Sequence, residues 1–90
     1  MIEALSRKVT IVNELGLHAR SAAKIAEIAK NANSNVWIIK DSEKADASGI
    51  LEILMLECAK GSVITIQIDH PVDVEILNAI VELIKTGFGE

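Results

Sequence analysis

The chain has 90 residues, half of them hydrophobic, and a single cysteine, so it is read as one domain spanning residues 1–90 that builds its core without a disulfide. A net charge of −4, scattered basic residues and only two aromatics, Trp37 and Phe88, argue against nucleic acid, which needs a concentrated basic face and stacking rings. Cys58 has no second thiolate for a zinc site, no apolar run is long enough to enter a bilayer as a span, and the first residues lack the features of a signal peptide; a reducing, cytoplasmic home and no metal are expected.

Residues 1–6 read as a loosely ordered lead-in. Arg7 to Asn13 is the first predicted strand, because Val9 and Ile11 alternate with Lys8 and Thr10. Glu14-Leu15-Gly16 is a loop whose glycine allows a tight or left-handed turn. Ala19 to Asn31 has helical spacing: Ala22, Ile25, Ala26 and Ala29 form an inward stripe, and Lys24, Glu27, Lys30 and Asn31 line the other side. Residues 31–35 are turn-forming and end the helix.

Val36-Trp37-Ile38-Ile39 is strand-like, but all four residues are apolar, so Trp37 belongs either to the core or to an open face. Lys40 to Lys44 reads as a polar hairpin loop and Ala45-Asp46-Ala47 as a short edge strand. Ser48 or Gly49 caps a short helix ending at Leu56. Six of the eight residues from Gly49 to Leu56 are large and apolar. One helix face cannot bury that many, so the helix is deeply embedded or meets a partner. Cys58 reads as a small buried hydrophobe.

Lys60-Gly61 turns into a strand from Val63 to Ile68, where Ile64, Ile66 and Ile68 alternate with Thr65 and Gln67. Asp69-His70-Pro71 breaks it, with His70 structural or solvated. Asp73 caps or opens the last helix, Ile76, Leu77, Ile80, Leu83 and Ile84 form its stripe, and Gly87 ends it. The order β-α-β-β-α-β-α predicts an α+β fold, a four-stranded antiparallel sheet with the helices packed on one face.

Chemistry concentrates at Gly16-Leu17-His18-Ala19-Arg20-Ser21, where a strand hands over to a helix N-terminus. Free first-turn N–H groups, the helix dipole and Arg20 together make a pocket for an anion such as a phosphate. A histidine there serves as nucleophile as well as ligand. Asn13 and Ser21 flank it. By residue type alone, a histidine at a helix start is more often a cap or a surface residue, an arginine a solvated charge, and Ser21 either a helix-start residue or a phosphate donor.

Three features resemble HPr, the histidine-containing phosphocarrier family of the bacterial sugar phosphotransferase system: Gly16-Leu17-His18-Ala19-Arg20, the apolar helix running from Ile50 towards Gly61, and the ending Gly87-Phe88-Gly89-Glu90. The correspondence runs without gaps from about Val9 onward. The resemblance implies an open-faced β-sandwich with strand order 1-4-2-3 and three helices on one face. It implies that His18 accepts a phosphoryl group on Nδ1 from phosphorylated enzyme I and passes it to a IIA domain. The chain would then be a stoichiometric carrier rather than an enzyme, with no cofactor beyond a transient phosphohistidine. Ala19, Arg20 and Ser21 would bind the phosphate, with the Arg20 guanidinium as a mobile clamp.

The family's partner surface maps onto Ala23, Lys24, Glu27, Ile50, Leu51, Leu54 and Met55. Val12, Trp37, Ile39 and Val63 fall on the uncovered sheet face of an expected monomer, either a self-association site or tolerated apolar surface. The chain departs from the family in several places. Ser21 stands where proline is usual, which restores a donor and adds a hydroxyl. Gly49 stands where many Gram-positive members carry a regulatory serine, and Ser48 lies one residue early, so no regulatory phosphorylation is expected at either. Glu27 and Glu52 replace lysines of some relatives. These departures leave room for an alternative, a regulatory module that docks to a transcription factor or another enzyme. An amino-acid-sensing domain would share the topology but not the His18 motif.

Overall fold

The computed structural model describes residues 5–90. Four strands and three helices follow in chain order: β1 (Ser6–Thr10), α1 (Ala19–Ala29), β2 (Val36–Lys40), β3 (Glu43–Asp46), α2 (Ile50–Met55), β4 (Val63–Ile68) and α3 (Val74–Lys85). The strands pair antiparallel in the order β1-β4-β2-β3. This is the four-stranded antiparallel sheet with three helices that the resemblance implied.

Strand alternation sorts the side chains. Val9 on β1, Val36 and Ile38 on β2, Ala45 on β3, and Ile64, Ile66 and Ile68 on β4 are all buried. They meet Ala22, Ile25 and Ala29 of α1, Ile53 of α2, and Leu77, Ile80, Val81 and Ile84 of α3 in one core. Each fully buried isoleucine or leucine contributes roughly 1.5–3 kcal/mol of transfer free energy, so this cluster is the main force holding helices to sheet. The other sheet face carries no helix. Val12 and Val63 are exposed there, and Trp37 and Ile39 are half-buried. Trp37 is therefore on the open face. Its indole N–H donates to Asp69 Oδ1 at 3.0 Å, and Lys44 Nζ lies 4.4 Å from its ring centroid. Thr65 sits opposite Ile39 and Gln67 opposite Trp37, so polar cross-strand neighbours interrupt the expected apolar patch.

Several boundaries differ from expectation. The lead-in falls partly on residues 1–4, outside the described residues. Its end is already structured: Ile68 N–H donates to Leu5 O at 2.8 Å, and Ser6 opens β1. β1 stops at Thr10 rather than Asn13, because Asn13 turns inward to serve the next loop. α1 stops at Ala29, with Lys30 as its C-cap and Asn31 Nδ2 donating to Glu27 O at 3.0 Å. The hairpin loop is only Asp41-Ser42, since Lys40 pairs with Glu43 and Asp41 takes φ 56°. Glu43 and Lys44, expected in the loop, instead place charges on edge strand β3.

Both expected helix starts hold, with the neighbouring side chains engaged elsewhere. Gly49, with no side chain to bond, is the N-cap of α2, while Ser48 Oγ donates to Asp46 Oδ1 at 2.6 Å. Asp73 is the N-cap position of α3, but its side chain makes no cap hydrogen bond there. Its buried carboxylate accepts the Asn33 N–H at 2.8 Å and the Ser34 N–H at 3.0 Å, bracing the α1–β2 loop. His70 caps the short turn at Pro71–Asp73, where its Nδ1 accepts from Val72 N–H at 3.3 Å. Cys58 is buried as expected. Gly87 ends α3 at φ 68°, and the chain then folds back through a short turn that buries Phe88.

Candidate functional site

The loop from Ile11 to His18 carries the site, and Gly16 sets its path. Gly16 has φ 64°, and a Cβ built there would lie 2.9 Å from the Ala59 Cα and closer still to the Cys58 carbonyl oxygen. Only glycine accepts both that conformation and that approach. Leu17 N–H donates to Cys58 O at 2.8 Å, and Asn13 Nδ2 donates to Gly16 O at 2.8 Å. The loop is thus clamped to the segment that follows α2, which brings the apolar helix beside His18.

His18 is the N-cap of α1 and only partly exposed. Its ring is held on both sides. Arg20 N–H donates to Nδ1 at 3.3 Å, and Nε2 lies 2.7 Å from Glu90 Oε2. A nitrogen that accepts an N–H carries a lone pair, so Nδ1 is the unprotonated atom and Nε2–H faces the carboxylate. The Glu90 carboxyl is held below its ordinary value, chiefly by the His18 hydrogen bond and next by that from Asn13 Nδ2 at 3.2 Å. It is an anion at neutral pH.

Ser21 completes the helix start from below. It is fully buried, its Oγ accepts the His18 N–H at 2.9 Å, and it donates to Gly16 O at 3.1 Å. His18 and Ser21 form the reciprocal pair of a capping box. The Ser21 hydroxyl, weighed as a phosphate donor, is therefore turned inward and occupied. What remains for an anion is the start of α1: the Ala19 N–H has no intrahelical acceptor, the Ser21 N–H is taken by the His18 side chain, and the Arg20 side chain is exposed beside them. His18, Ala19, Arg20, Glu90 and the exposed Leu15 line one open depression.

The expected docking residues divide. Ile50, Leu51 and Met55 are exposed, the latter two at 76% and 77%, while Leu54 is half-buried. The excess apolar residues of α2 thus point to solvent, and only Ile53 of the helix is fully buried. Ala23 is half-buried and Glu27 exposed. Lys24 is not free: its Nζ donates to Phe88 O at 2.9 Å. Ser48 and Gly49 lie at the start of α2, where Ser48 is tied to Asp46.

Glu90 is the site residue that sequence reasoning missed. It lies in the HPr-like ending Gly87-Phe88-Gly89-Glu90, whose aromatic between two glycines marks a turn with a buried anchor but not a site residue. No group of three metal-ligating side chains occurs among the described residues. No described helix is long and apolar enough to cross a membrane.

The family model described as PTS HPr component phosphorylation site matches residues 5–86. The chain is 40% identical over 86 residues to phosphocarrier protein HPr of Cupriavidus necator, covering 96% of this chain and 97% of that one. It is likewise 40% identical over 86 residues to phosphocarrier protein NPr of Shewanella violacea, at 96% and 94% coverage. Among solved structures, HPr from Thermoanaerobacter tengcongensis superposes with a TM-score of 0.88 at 34% identity, over 94% of this chain and 96% of that chain. A buried-core sheet in the order 1-4-2-3, a histidine capping the first helix, and matches spanning nearly the whole length agree on one assignment: the chain belongs to the HPr family of phosphocarrier proteins.

Proposed function

We propose that this protein carries a phosphoryl group on His18 Nδ1, taking it from phosphorylated enzyme I and giving it to a IIA domain. The observation that carries the reading is the bonding of the ring: Nδ1 faces the Arg20 N–H in the first turn of α1, while Nε2 is engaged by Glu90. An incoming phosphoryl group on Nδ1 would meet the Ala19 and Arg20 N–H groups and the Arg20 guanidinium, which supply the charge stabilisation that phosphoryl transfer needs. The Arg20 N–H that now bonds Nδ1 is then released to a phosphoryl oxygen. The exposed Ile50, Leu51 and Met55 beside the site provide an apolar surface for the two protein partners.

In this reading the protein is stoichiometric. It needs no cofactor or metal, works in the cytoplasm as a monomer, and carries no regulatory phosphate on Ser48 at the start of α2. Incubation with enzyme I and phosphoenolpyruvate tests it. The parent should take up about one acid-labile phosphate per chain and His18→Ala none, as a single covalent phosphohistidine requires. A parent that stays unlabelled would remove the proposal, and docking without phosphorylation would favour the regulatory reading.

A further inference from the structure

Glu90 approaches His18 through a built arrangement rather than a chance surface pairing. Phe88 is buried, and Lys24 Nζ holds the Phe88 carbonyl at 2.9 Å. The burial of Phe88 and the Lys24 bond fix the turn that carries Glu90, and a Cβ at Gly87 would touch Val12 and Asn13. Its two oxygens then divide their work, Oε1 accepting from Asn13 Nδ2 at 3.2 Å and Oε2 facing His18 Nε2 at 2.7 Å. Asn13 in turn is buried and bonded to Gly16 O, so the carboxylate is tied to the loop that positions the histidine.

We propose that Glu90 is a positioning residue of the phosphoryl relay: by accepting the Nε2–H of His18 it keeps Nδ1 free for attack, and it retains that proton on the phosphorylated ring so that the ring leaves readily. This inference rests on the carrier reading above. When His18 accepts, the Nδ1 lone pair forms the N–P bond, the donor's N–P bond breaks, and its electron pair returns to the donor ring. The Nε2 proton stays in place. The ring becomes cationic beside the dianionic phosphoryl group, and the carboxylate of Glu90 faces the cation from the other side. In the onward step an acceptor nitrogen attacks phosphorus, the Nδ1–P bond breaks, and its electrons return to Nδ1. With Nε2 protonated the leaving ring is neutral imidazole. Without that proton it would be an imidazolate anion, a far poorer leaving group.

Glu90 is the charged group bonded to this ring, and Arg20 on the first turn of α1 lines the same depression. Lys24, one turn further along, acts on the Glu90 carboxylate.

The test uses the full chain and the variants Glu90→Gln and Glu90→Ala. Each is phosphorylated by enzyme I, and the phosphorylated ring is titrated by nitrogen and phosphorus NMR. In both variants the Nε2 proton should leave about half a pH unit lower than in the parent, as expected for loss of a partly exposed ion pair. Transfer to a IIA domain above that pH should slow about threefold, the same half unit expressed as a rate. Unchanged titration and unchanged onward transfer in both variants would overturn the proposal. The unphosphorylated ring gives a reading independent of the carrier function. Its Nε2–H signal should exchange slowly with water in the parent and quickly in Glu90→Ala. If the parent accepts no phosphoryl group, the carrier reading falls. Slow exchange that persists in Glu90→Ala would refute the positioning role in either case.

Discussion

The Ser21 hydroxyl supports His18 from beneath, accepting its backbone N–H at 2.9 Å while donating to Gly16 O at 3.1 Å. The hydroxyl is therefore part of the loop's own bonding and does not face an incoming phosphate. Ser21→Ala should cost about 1 kcal/mol, the usual value of a lost helix-start hydrogen bond. It should leave the rate of phosphoryl acceptance unchanged. Urea unfolding and a transfer assay on the same preparation check both halves. A large loss of transfer at unchanged stability would show that the hydroxyl serves the phosphate after all.

Gly16 couples the histidine loop to the segment after α2. Gly16→Ala forces a residue with a Cβ into φ 64° and against the Cys58 and Ala59 backbone. The conformation alone costs on the order of 1–3 kcal/mol, and the clash adds to it. The variant should unfold at lower denaturant and, in the proposed relay, transfer phosphoryl more slowly, because His18 and the apolar helix α2 lose their mutual register.

Glu57 stands one residue beyond the C-cap of α2 with φ 53°, a place usually filled by glycine. Lys40 Nζ offsets the cost by donating to Leu56 O at 3.1 Å and to Glu57 O at 2.8 Å. Glu57→Gly should raise stability by about 0.5–1 kcal/mol in chemical denaturation.

Asp73 gives stability a defined acid dependence. Backbone N–H groups of Asn33 foremost, then of Ser34, hold its carboxyl below its ordinary value of 3.8, against the opposing effect of burial. A group depressed in the folded state stabilises fully above its unfolded value and loses that contribution as pH falls through the folded one. Stability should therefore be flat in this contribution near neutrality and decline below about pH 4. Asp73→Asn should be less stable at pH 7 and show a shallower decline in acid, measured by thermal unfolding across the pH range.

Much of this was legible in the sequence because periodicity reports burial directly. Ile64, Ile66 and Ile68 announced β4, and the α3 stripe missed only Val81 among its buried residues. The His18 motif was legible because a helix start concentrates N–H groups wherever it occurs. Long-range polar partners were not legible. Asp73 sits where a helix cap belongs, yet its acceptors' donors lie in the α1–β2 loop, some 40 residues away. Glu90 is separated from His18 by 72 residues. Nothing local marks a carboxylate that reaches its partner only after the chain has closed into a sheet. Trp37 was ambiguous for a different reason: four consecutive apolar residues hide the period of two, and only pairing with β4 shows which side each takes.

The proposed carrier holds phosphate on one atom, His18 Nδ1. Phosphorus–nitrogen correlation NMR of the protein phosphorylated by enzyme I reads that bond directly. The expected spectrum shows a single phosphohistidine with phosphorus bonded to Nδ1 of His18 and a proton on Nε2, and no signal in His18→Ala. Phosphorus bonded to Nε2, to His70 or to Ser48 would contradict it.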